Sequence, residues 1–161
     1  MKRLTWEGYT VEVDEEVTRN WYARGSEWGC TCGHCRNFLA LARERKLPEE
    51  ILNILDSLSI PAEKATYVCE LYHDENWREK GLLYEISWRV AGVVLQPPEG
   101  KENNGTAWGP PVEFPGFQMM LGHEYYNIEP EFPEPSFDLD ISLYLPWVLD
   151  EPVEGPEEEE P

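Results

Sequence analysis

Beyond Lys101 the chain carries no lysine or arginine. Residues 102–161 hold 15 Asp and Glu, a net of −15; residues 1–101 hold 17 acidic groups and all 13 basic ones, a net of −4. The total of −19 argues against direct nucleic-acid binding through phosphate neutralisation and against a seat on anionic lipid. No run of about 18 apolar residues occurs, so no membrane span is expected. The stretch from Met1 to Glu7 has no apolar core of a secretory leader, which points to a cytoplasmic protein with reduced thiols. Histidine is scarce, limited to His34, His73 and His123. A phosphate-cradling glycine loop, G-x-S-x-G and H-E-x-x-H are all missing.

What is present is aromatic. Seven Trp, eight Tyr and five Phe in 161 residues give one domain enough apolar surface for a core without disulfide staples. Leu4, Trp6, Tyr9, Val11 and Val13 alternate with polar residues. A turn at Glu7-Gly8 would pair Trp6 with Tyr9 and Leu4 with Val11 on one face. Asp14 is placed to cap a helix reaching Arg24 and stopping at Gly25. A second helix is expected over about 35–46, and a third carries Ile51, Ile54, Leu55 and Leu58 at helical spacing.

From Ala65 the period becomes two. Tyr67, Cys69 and Leu71 share one strand face, expected to look at the helices; Leu82, Tyr84, Ile86, Trp88 and Val90 share another. Gly92 marks a bend, residues 96–111 read as loop, and a strand is expected around 116–121. Phe137, Leu139, Ile141 and Leu143 alternate with Asp138, Asp140 and Ser142, which predicts an apolar face inward and both aspartates in solvent. The fold class is α+β: an antiparallel sheet, with two to three helices inserted after its first hairpin. Residues 1–149 read as one domain with a cysteine loop at 28–36. Residues 150–161, Pro- and Glu-rich, read as a disordered acidic tail.

The chemistry-bearing motif is Cys30-Thr31-Cys32-Gly33-His34-Cys35. Three thiols in six residues can converge on one soft cation, and zinc asks for four ligands in tetrahedral array. Cys69 is the preferred fourth ligand, with His34 and His73 as alternatives. A closed structural zinc site is the expectation; a thiol-redox or metal-dependent enzyme built on this loop is the alternative, and a small-ligand binder with a pocket between helices and sheet is another.

The acidic half suggests a different role. Glu129, Glu131, Glu134, Asp138 and Asp140 are expected to border a contact surface for a basic protein, such as a nucleic-acid-binding protein or an immune effector. Carboxylates at strand spacing can imitate DNA phosphates, as an inhibitor or DNA mimic from a phage or mobile element would. Trp77 and Trp108, in polar segments, join them as candidate contact residues.

The run Cys30 to Phe38 resembles the C-x-C-x2-C-R-N-F signature of a family of small bacterial proteins, some from mobile elements. Leu58 to Lys64 and Leu145 to Pro152 resemble further segments of that family. The resemblance implies a compact α+β fold and no particular activity.

Overall fold

The computed structural model describes residues 1–6, 8–96, 112–122 and 131–153. Of the predicted loop at 96–111, residues 97–111, with Trp108, lie outside these residues, as do His123, Glu129 and the last part of the tail, 154–161.

Strands β1 (Lys2–Trp6) and β2 (Tyr9–Val13) form the opening hairpin, with Trp6 opposite Tyr9 and Leu4 opposite Val11. Helix α1 (Glu15–Arg24) follows, and the Asp14 carboxylate accepts from the Val17 N–H at 3.1 Å. Helices α2 (Gly33–Arg43) and α3 (Glu49–Ser57) come next, then a 3-10 turn at Ala62–Lys64. Strand β3 (Tyr67–Tyr72), the short helix α4 (Trp77–Lys80), and strands β4 (Leu82–Gln96), β5 (Val112–Phe114), β6 (Phe117–Gly122) and β7 (Ser136–Leu145) complete the described chain.

The seven strands make one antiparallel sheet in the order β1-β2-β4-β7-β6-β5, with β3 also paired to β4. The expected α+β class is therefore the observed one. The long strand β4 organises it. Its first half pairs with β3 and its last part with β2, on the same edge. Between them β4 would expose unpaired backbone, and α1 fills the gap. The Tyr22 hydroxyl donates to the Arg89 carbonyl at 2.6 Å, the Thr18 hydroxyl accepts from the Ala91 N–H at 3.1 Å, and the Asp14 N–H donates to the Ala91 carbonyl at 2.9 Å. Buried backbone groups thus find partners where no strand reaches.

The core lies between helices and sheet. Tyr84, Ile86, Trp88 and Val90 are fully buried, and register places Leu143, Ile141, Leu139 and Phe137 beside them on the same face. The Tyr84 hydroxyl donates to the His34 carbonyl at 2.6 Å and the Trp88 indole to the Ala62 carbonyl at 3.0 Å, which fixes this as the helix side.

The polar side of β7 differs from the expectation. Asp138 is buried, against Arg89 at 3.0 Å, and Asp140 is largely covered, accepting from the Ser87 hydroxyl. The strand alternates as expected, but its second face is covered too, so Asp138 is shut from solvent and Asp140 is only partly exposed. Burial, reinforced by neighbouring carboxylates, pushes the Asp140 carboxyl up to about 7 and the Asp138 carboxyl up to about 6. Arg89 opposes the shift of Asp138 without cancelling it.

The domain also extends further than expected. Glu151 forms a two-point ion pair with Arg36 (2.8 and 2.9 Å), its carbonyl accepts from the Trp147 indole at 2.8 Å, and Val153 packs on the core. Residues 150–153 therefore belong to the fold. Charge and proline suggested a tail there, but one bidentate pair and one apolar contact suffice to seat four residues.

Gly92 sits where β2 takes over along β4. Its φ is +149°, and an added Cβ would lie 2.1 Å from the Glu12 carbonyl oxygen. That atom is backbone and cannot step aside. Gly92→Ala is expected to cost at least about 2 kcal/mol, whereas Gly29→Ala, with nothing within 4 Å, should stay within about 0.5 kcal/mol. Urea denaturation of the two variants checks the contrast.

Candidate metal centre

The cysteine loop is shaped by the start of α2. The helix begins at Gly33, two residues earlier than the sequence suggests, with Cys32 as N-cap. N-cap and third helical positions converge in helix starts generally, as capping boxes show. Here those positions are Cys32 and Cys35. The Sγ atoms of Cys30, Cys32 and Cys35 all lie within 4.8 Å of one another. Sulfurs sharing a tetrahedral zinc at about 2.3 Å stand about 3.8 Å apart, so small side-chain adjustments would close the set around an ion. The three thiols can therefore bind a metal.

Exposure grades across the loop. Cys30 is exposed, Cys32 half-buried and Cys35 buried. The Trp28 indole N–H donates to Cys35 Sγ at 3.0 Å, as it would to a thiolate. Burial pushes the Cys35 thiol up; the Trp28 bond lowers it, and the two neighbouring thiols raise it further. This is the opposite of the depressed thiol that marks a reactive nucleophile. A cation among the three sulfurs would lower all three thiols.

The residues after the cysteines fasten the loop. Arg36 donates from Nε to the Thr31 carbonyl at 2.9 Å and grips Glu151 with its other nitrogens. Asn37, fully buried, donates to the Pro146 carbonyl at 3.0 Å and accepts from the Val148 N–H at 2.7 Å. Phe38 enters the core with no exposed surface. Arg-Asn-Phe thus ties the thiol loop to the closing segment 146–151.

Cys69 does not join the cluster. Val68 pairs with Ile86 and Glu70 with Tyr84, so those two side chains face the helices, and Cys69, opposite Glu85, faces the other way. The sequence shows two faces of β3 without saying which is inward, and the expected assignment was inverted. Among the described residues, no fourth donor completes the thiol group. His34 and His73, the other two options, gather instead around Glu70, a residue the sequence reading passed over.

The other predicted contact residues are dispersed. Glu131 and Glu134 are exposed, while Asp138 and Asp140 are covered as described. Trp77 opens α4, half-buried against the core, with the Arg78 guanidinium 4.4 Å from its ring centre. A hollow of about 510 Å³ opens beside Leu83, Phe114, Phe117 and Tyr144, on strands β4 to β7 and not between helices and sheet. No helix is long and apolar enough to cross a membrane among the described residues.

No family model, curated protein or solved structure matches this chain.

Proposed function

We propose that the protein is a metal-stabilised binding protein whose Cys30, Cys32 and Cys35 hold one zinc ion. The convergence of the three sulfurs within 4.8 Å carries this reading. Thiolates select zinc among the abundant divalent cations, and the fastening of the loop by Arg36 and Asn37 suits a site that joins distant segments of chain. Water would take the fourth corner. The ion links the loop before α2 to the body of the domain, a structural role. Burial of Cys35 away from solvent is unlike the accessible thiol that redox exchange needs.

Protein purified without added metal, under reducing conditions, is expected to carry about one equivalent of zinc in this site, which protects Cys30, Cys32 and Cys35 from alkylation. Less than about a tenth of an equivalent of any transition metal, by elemental analysis, contradicts the reading. Cys32→Ser should lose that equivalent.

A second reading concerns the partner. The cation-free segment 102–161 and exposed Glu131 and Glu134 support attraction of a basic protein partner. Asp138, buried against Arg89, is no part of that surface. Recruitment of this kind weakens as salt rises, mainly through the on-rate.

A further inference from the structure

We infer that His34, Glu70 and His73 form a second cation site, of nitrogen and oxygen donors, for a borderline first-row divalent ion. Their ligand atoms lie within 4.8 Å of one another. The Glu70 carboxylate spans the two rings: Oε2 is 3.0 Å from His73 Nδ1 and Oε1 is 3.8 Å from His34 Nε2. The second separation is too long for a hydrogen bond. It is close to the spacing of about 3.3 Å between neighbouring donors on one tetrahedral ion with bonds of about 2.1 Å.

A buried ring nitrogen points to a ligand. Among the described residues His34 Nε2, the atom facing Glu70 Oε1, has no hydrogen-bond partner, and the His73 side chain that brings Nδ1 to Glu70 Oε2 is only 5% exposed. Buried polar atoms are rarely left so, and an imidazole nitrogen in that position is a metal donor or a bond to ordered water. Glu70 is 10% exposed, so its charge is also largely removed from water. One divalent ion held by His34 Nε2, His73 Nδ1 and the Glu70 carboxylate would serve all three groups, with two imidazoles and a carboxylate matching the preference of zinc, cobalt and iron(II).

The backbone is built to bring them together. In a regular strand Glu70 and a residue three positions later point to opposite faces. Here the pairing of β3 with β4 shifts between Glu70 and Tyr72: Glu70 opposes Tyr84 but Tyr72 opposes Leu83. This extra residue turns Tyr72 outward, 44% exposed, and returns buried His73 to the side of Glu70. Bulges re-aim side chains in this way at functional sites. His34 arrives from the first turn of α2. The Tyr84 hydroxyl holds its carbonyl, and Trp147 stands edge-on to its ring with centres 6.0 Å apart. None of this depends on the thiol site, although His34 stands between two of its cysteines in sequence.

The test is cobalt(II) titration of the metal-stripped full chain, with Glu70→Gln and His73→Gln alongside. Thiolate-bound cobalt gives a near-ultraviolet charge-transfer band; cobalt on imidazole and carboxylate gives visible d–d bands without it. The parent is expected to bind about two equivalents, one of each kind, and both variants to lose only the equivalent without the charge-transfer band. Equal cobalt uptake by parent and Glu70→Gln, or a parent with no thiolate-free equivalent, overturns the inference and leaves a water-bridged His–Glu–His cluster. A missing charge-transfer band with the thiolate-free equivalent retained overturns the zinc reading alone. Nitrogen-15 spectra of the histidine rings in the parent during zinc titration read the same site without any variant. Shifts of the His34 and His73 ring nitrogens to metal-bound positions support it; unchanged ring signals at saturating zinc refute it.

Discussion

Arg89→Met is expected to destabilise the fold by about 3–5 kcal/mol at pH 8, and by less at pH 5. The Arg89 side chain is 2% exposed and Asp138 1%, so the substitution strands a carboxylate that water cannot reach. It also removes the donor to the Ser136 hydroxyl at 3.0 Å. At pH 5 Asp138 can take up a proton and shed the unpaired charge; at pH 8 it must ionise alone. Asp140→Asn should act in the opposite direction. The folded-state pKa values of Asp138 and Asp140, about 6 and about 7, lie above the ordinary aspartate value of 3.8. The folded protein then binds more protons than the unfolded chain, so these two groups make stability fall as pH rises from about 4 to about 7. Asparagine keeps an oxygen for the Ser87 hydroxyl and carries no charge. A gain of about 1–3 kcal/mol at pH 8, and little change below pH 4, is expected from urea denaturation across this range. A parent whose stability rises steadily from pH 4 to pH 8, with Asp140→Asn unchanged from it, would show that both aspartates ionise without penalty.

Removing the metal is expected to lower the melting temperature by about 10 °C. Zinc present at about a thousand times its dissociation constant stabilises a folded state by about 4 kcal/mol, and each kcal/mol moves a domain of this size by about 2–4 °C. The loss should be large here because the loop meets the closing segment. Arg36 and Asn37 transmit any loosening of Cys32 and Cys35 to residues 146–151. Metal-stripped Cys32→Ser should melt at the temperature of the metal-stripped parent, and zinc should restore the full gain only to the parent. Coincident melting of stripped and loaded parent would remove the structural role from this site.

Much of the architecture was legible in the chain. The opening hairpin follows from an alternating pattern on either side of Glu7-Gly8, because the side-chain period of a strand leaves one register that keeps Leu4, Trp6, Tyr9 and Val11 together. Asp14 announces α1, since a short acceptor before a helix satisfies its free N–H groups. The apolar faces of β4 and β7, and the gathering of Cys30, Cys32 and Cys35, are likewise local consequences of spacing. Three matters were left to the tertiary structure. Alternation separates the faces of a strand but does not assign them, so only pairing with β4 shows that Glu70, and not Cys69, looks at the helices. Polarity does not reveal that a face is covered; Asp138 is buried and Asp140 partly so where Arg89 and Ser87 meet them from β4. The shift of register after Glu70 leaves no mark in residue type. It depends on how β3 lies along β4, and that long-range pairing alone turns His73 back to meet Glu70 and His34.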